Sequence, residues 1–113
     1  MSPQRAKNLL GSYDEASGSL TIIKYNKPTN EMNYVNSKWE IQDNPFKGDV
    51  INSYNDGPPE PGAEPLGPFY ELETSSPAAA LSVGDTISHK QYTFHFEGDS
   101  KELNKISINL RNE

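Results

Sequence analysis

Turn-forming residues break this chain at short, nearly even intervals. They cluster at Asp14–Gly18, Lys27–Asn33, Asp43–Gly48, Asn55–Gly67, Thr74–Pro77, Ser82–Asp85 and Glu97–Ser100. Gly, Pro, Asn, Asp and Ser dominate these clusters, and each of those residues favours a chain reversal for its own conformational reason. The stretches between them are short and rich in β-branched and aromatic residues. That spacing predicts an all-β fold. No eleven-residue window carries a clean apolar stripe at helical spacing.

Leu10–Tyr13 and Ser19–Tyr25 flank the first turn and read as a hairpin. Further strands are predicted over Ser37–Gln42, Asp49–Tyr54, Phe69–Glu73 and Thr86–Phe96. The alternation of Leu103, Lys105 and Ser107 against Asn104, Ile106 and Ile108 predicts a last strand over 103–110. Met1–Leu10 reads as a helical turn or a disordered end. The segment Asp56–Leu66 holds four prolines and two glycines, so it cannot continue a sheet interior. The whole, 1–113, reads as a single β domain with 1–9 and 111–113 as flexible ends.

Composition narrows the function. The net charge is −6, with 16 acidic and 10 basic residues and no Lys/Arg cluster. Neither a nucleic acid nor a membrane is therefore an expected partner. There is no cysteine, hence no disulfide framework, zinc-thiolate site or thiol nucleophile. No apolar run approaches the roughly 18 residues of a membrane helix, and Met1–Leu10 does not read as a signal peptide. The chain reads as soluble. Its compartment stays open, a secreted or periplasmic parent included. The aromatics (six Tyr, four Phe, one Trp) argue against disorder.

Glu71 and Glu73 lie two residues apart on a predicted strand. Strand side chains alternate, so both carboxylates share a face, about 6.5 Å apart at Cα. Tyr70 and Leu72 take the other face. In a cleft, two close like charges raise the pKa of one, which suits acid–base work near neutrality. One carboxylate would be a general base and the other would bind the hydroxyls of a polyol. On a water-facing strand the same pair is a solvated surface. Asn52, Tyr54, Asn55 and Asp56 lead into the proline-rich loop. Amides and carboxylates suit sugar hydroxyls, and an aromatic ring suits a sugar's apolar face. Asn55-Asp56-Gly57 is equally an ordinary turn. A glycosidase pair is disfavoured, because those carboxyls flank the scissile bond from opposite sides.

His89 and His95 fall on one face of the predicted Thr86–Phe96 strand, roughly 20 Å apart, too far to share a metal. The polar residues at 43, 49, 55 and 56 lack the spacing of a calcium loop. Gly-rich phosphate loops and Ser nucleophile elbows are missing too. No metal and no cofactor is expected. Trp39 either stacks on a ligand or fills the core.

Leu72-Glu73-Thr74, then Pro77, then Leu81-Ser82-Val83-Gly84-Asp85, then a His- and Thr-bearing strand ending in Phe96, resembles the C-terminal segment of aldose 1-epimerases, the galactose mutarotases. A closer resemblance is to an uncharacterised bacterial family related to these enzymes. It rests on Gly48–Pro58, Gly67–Ala78, Leu10–Asp14 and Leu20–Ile22, and covers most of residues 5–98.

The resemblance implies an antiparallel β-sandwich, part of a galactose mutarotase-like supersandwich, with Glu73 as general base and interconversion of sugar anomers as the reaction. Taken with the polar residues above, the expected function is binding of a sugar or glycan by Glu71, Asn52, Tyr54, Asp56 and His95, beside Glu73, on a concave sheet face. Several features depart from the pattern. Val83 stands where a Pro is common, and Asp85 where a Glu is common. The family's acid histidine, its partner histidine and a substrate-binding Asp come from earlier strands, and His89 and His95 match none of them. Such a supersandwich usually needs a much longer chain. Open sheet edges would allow a homo-oligomer to supply missing strands. The alternative is a non-enzymatic β-sandwich interaction module or a remnant of the family.

Overall fold

The computed structural model describes residues 1–28, 30–38 and 40–112. They are mostly β, with two antiparallel sheets and one short helix, as an all-β reading requires. The chain sorts into two compact units. One comprises Met1–Ala6 and Pro28–His89, the other Lys7–Lys27 and Lys90–Glu113. Among the described residues no helix is long and apolar enough to cross a membrane.

The second unit holds β1 (Leu9–Asp14), β2 (Ser19–Tyr25), β5 (Gln91–Glu97) and α1 (Ser100–Arg111). Its sheet runs in the order β1-β2-β5, antiparallel throughout. The predicted hairpin is present as β1 and β2. Its turn is built by Asp14, whose carboxylate accepts from Ala16 N–H at 2.9 Å and Ser17 O–H at 2.7 Å. Gly18 closes it at φ 61°, a left-handed conformation that costs other residues energy. Leu20 and Ile22 share one face of β2 and are buried with Leu103 of the helix. Leu9, Phe96, Ile106 and Leu110 pack around them. Burying one such side chain contributes about 2 kcal/mol, so this cluster is the cohesive centre of the unit.

Two expectations fail here. Residues 103–110 are helical, not a strand. Leu103, Ile106 and Leu110 recur at intervals of three and four, which places them on one helical stripe. Asp99 caps that helix, its side chain accepting from Glu102 N–H at 2.9 Å. The long strand over Thr86–Phe96 shrinks to Gln91–Glu97. Its partner β2 ends at Tyr25, opposite Gln91. There Asn26 N–H donates to the Lys90 carbonyl, and the Asn26 side chain accepts from Lys90 N–H, which ends the ladder.

The first unit holds β3 (Ile51–Asn55) and β4 (Tyr70–Thr74), an antiparallel two-stranded ribbon. Tyr34, Val50, Ile51 and Ala6 are its buried apolar side chains. Tyr34 and Lys47 form a parallel bridge, and Gly48 N–H donates to Tyr34 C=O at 2.7 Å. A Cβ on Gly48 would stand 2.1 Å from the Val35 carbonyl oxygen, so no side chain fits there. The Met1 ammonium donates to Ile51 C=O and lies 3.3 Å from the Asp49 carboxylate. The helical turn expected within Met1–Leu10 forms at residues 2–6. Arg5 and Ala6 N–H both donate to Ser2 C=O, and β1 begins at Leu9.

No strand forms among the described residues of Ser37–Gln42. Side chains satisfy the backbone instead. Lys38 N–H donates to the Asn36 side chain, and the Gln42 amide donates to the carbonyls of Asn36 and Lys38. Trp39 lies outside the described residues.

Candidate functional site

The β3–β4 register decides which side chains meet. Asn52 stands opposite Glu73, and Tyr54 opposite Glu71. Opposed residues in an antiparallel pair project to the same face. Ser75 N–H donates to Val50 C=O and Asp56 N–H to Phe69 C=O. Both facing pairs are therefore the hydrogen-bonded kind, with Cα atoms about 5.5 Å apart. Asn52, Tyr54, Glu71 and Glu73 thus form one polar face. Ile51, Leu72 and Thr74 turn the other way and are buried or half-buried.

Asn52 and Tyr54 are half-buried, while Glu71 and Glu73 are exposed. Partial desolvation holds the Glu73 carboxyl above the usual carboxylate range, helped by the hydrogen bond its protonated form donates to the Glu71 carboxylate and by that residue's like charge. A carboxylate of raised pKa is a stronger base, and its neighbour remains an acceptor for hydroxyls.

Tyr54 does something the sequence does not show. Its hydroxyl donates to Gly57 C=O at 2.9 Å and accepts from Leu66 N–H at 3.0 Å. Both ends of the proline-rich loop are pinned to this one oxygen. The hydroxyl is spent on the loop, so the ring is what Tyr54 can offer a ligand. Phe69 stands against that ring, centroids 5.1 Å apart and tilted 41°. Asp56 opens the loop at φ 36° and is exposed. Its left-handed backbone is one that Asp adopts more readily than most residues.

His95 belongs to the other unit, on β5, where its Nδ1 is hydrogen-bonded to Thr21 Oγ1 at 3.1 Å. His89, expected on the same strand as His95, lies outside any strand. Its Nε2 is hydrogen-bonded to Thr74 Oγ1 at 2.9 Å, behind the carboxylate face. Nothing in the spacing of Thr74 and His89 announces that pair. Phe69 was legible only as the start of a strand. Among the described residues no group of three His, Asp or Glu is placed to hold a metal ion.

No curated protein and no solved structure matches the chain. The profile of a family of unknown function, DUF6786, matches residues 1–112. That match spans all but the last residue, and the chain accordingly belongs to the DUF6786 family.

Proposed function

We propose that this protein is a carbohydrate-related β domain that binds a sugar or glycan on the face formed by Asn52, Tyr54, Glu71 and Glu73. The register of β3 against β4 supports this reading most directly, since it gathers an amide, two carboxylates and an aromatic ring on one surface. Asp56, at the mouth of the loop, would extend the polar contacts. In this reading the two sheets belong to an antiparallel β-sandwich, part of a galactose mutarotase-like supersandwich.

Glu73 is the group for base chemistry. It would take the proton of an anomeric hydroxyl while an acid protonates the ring oxygen, so that the ring opens and recloses on its other side. No histidine stands on this face among the described residues. Anomer interconversion therefore depends on an acid supplied from outside the face, and binding is the primary proposal.

A monosaccharide and glycan titration followed by NMR tests binding. Saturable shifts confined to Asn52, Tyr54, Glu71 and Glu73 are expected. Polarimetry of α-galactose and α-glucose tests catalysis by comparing the wild type with Glu73→Gln. Rates equal to buffer for both would end the epimerase reading while leaving binding intact. The exposure of both carboxylates favours a second reading, a non-enzymatic interaction module with a solvated face. A flat response to every sugar selects it.

A further inference from the structure

The three-stranded sheet ends at β1, and among the described residues no strand pairs with its outer edge. Tyr25 N–H donates to Asn8 C=O at 3.1 Å, which fixes the phase of the β1–β2 ladder. Antiparallel pairing alternates, so Leu10, Ser12 and Asp14 turn their backbone groups toward β2. Leu9, Gly11 and Tyr13 turn theirs away. Among the described residues none pairs with those outward N–H and C=O groups. β1 reads Leu-Leu-Gly-Ser-Tyr-Asp. It carries no proline, lysine or inward charge, the devices that usually blunt a sheet edge.

Beside this edge runs a trough toward α1. It consists of two adjoining hollows of about 440 and 270 Å³ that share Tyr13, Leu20 and Ser107 in their walls. Gly11 opens the middle of it. A Cβ there would press on Ile22 Cδ1 at 2.8 Å and on the Thr21 carbonyl oxygen at 2.9 Å, so the position takes no side chain and Ile22 forms the floor between Leu9 and Tyr13, whose large side chains share that face. Lys101 lines one hollow and Arg111 the other, and among the described residues no carboxylate lines either. Arg111 Nε donates to Ser107 C=O at 3.3 Å, which leaves the terminal guanidinium nitrogens for another acceptor. On a chain of net charge −6 the trough is a local reversal of sign.

We propose that β1 and α1 form a docking groove for an acidic, extended peptide segment of a partner protein, which adds to the sheet as a fourth strand. Its backbone bonds the outward groups of Leu9, Gly11 and Tyr13. One of its alternate side chains lies over Gly11 and Ile22, between Leu9 and Tyr13, and its carboxylates meet Lys101 and Arg111. Main-chain bonds supply affinity in such strand addition and side-chain pockets supply specificity. The charge of the trough sets the sign of the partner. The groove lies in the unit that does not carry the carboxylate face, so it stands or falls apart from the sugar reading.

Fluorescence anisotropy with a labelled peptide of alternating Glu and Val tests the proposal on the full chain. A Lys–Val peptide and a Glu–Val peptide N-methylated on every second backbone nitrogen, in both registers, serve as comparisons. Saturable binding of the plain Glu–Val peptide is expected, weakening with salt. The double variant Lys101→Glu/Arg111→Glu, checked for retained fold by circular dichroism, should bind it roughly tenfold more weakly. N-methylation in one register should abolish binding, and this comparison leaves the protein unaltered. Absence of saturable binding, equal binding of the Lys–Val peptide, or indifference to methylation in both registers would each overturn the proposal. So would a stable dimer in light scattering that Tyr13→Pro dissolves, since a second copy would then occupy the edge.

Discussion

Glu73 and Asp14 tie folding to pH in opposite directions. The Glu73 carboxyl is held above its unfolded value by partial desolvation and by Glu71. Its contribution is fully present below the unfolded pKa and is lost as pH rises through the folded pKa. Asp14 is held below its ordinary value, first by the Ser17 hydroxyl and then by Ala16 N–H. Its contribution is present above the unfolded pKa and lost as pH falls through the folded one. Glu71→Gln should bring the Glu73 midpoint down toward an ordinary carboxylate, read by side-chain carbon shifts in an NMR titration. A midpoint that does not move would mean that desolvation alone holds it. Tyr34 offers a separate test. Its side chain is fully buried and its hydroxyl has no hydrogen-bond partner among the described residues. Desolvation, and then the charge of Glu31, pushes its pKa up. An unsatisfied buried hydroxyl costs free energy, so Tyr34→Phe should leave stability unchanged or raise it. A loss of about 1 kcal/mol in denaturant unfolding would show instead that the hydroxyl is bonded.

Among the elements, α1 is held by its cap and by one stripe. Asp99→Ala should cost about 1 kcal/mol, because Glu102 N–H loses its acceptor. Leu103→Ala should cost about 3 kcal/mol by emptying the centre of the Leu20/Ile22 cluster. Both are measurable by thermal or denaturant unfolding. Gly18→Ala should cost about 1–2 kcal/mol, since its backbone is left-handed and a Cβ would stand 2.9 Å from the Gly98 carbonyl oxygen. The hairpin was legible because its turn chemistry and strand alternation agree. The carboxylate face was legible for a related reason. Alternation alone puts Glu71 with Glu73, and the pairing with β3 then adds Asn52 and Tyr54. The helix was misread because Leu103, Lys105 and Ser107 alternate by accident over the same residues that carry a helical stripe. Asp99 followed by Glu102 was the signal that could have decided it. The start of β5 was not legible at all, since it is set by where the partner strand β2 stops, many residues away in sequence.

At the scale of the whole molecule, composition and topology matter more than any one contact. The net charge of −6 gives an isoelectric point near 4.8. Solubility should therefore be lowest near that pH and recover on either side, which turbidity against pH will show. The neighbouring strands β2 and β5 are separated in sequence by the stretch that builds the other unit. Their pairing closes a long loop, so β2–β5 contacts should form late in refolding. The proline-rich loop, pinned at both ends by one tyrosine oxygen, divides the elements in an unusual way. β1, β2 and β3 precede it, and β4, β5 and α1 follow it. A single protease cut within it yields two fragments, and neither contains a complete sheet. Each piece carries the hydrogen-bonding partner of a strand in the other. The chain is thus laid out as a ready-made split protein, whose halves would complete their sheets only in each other's presence.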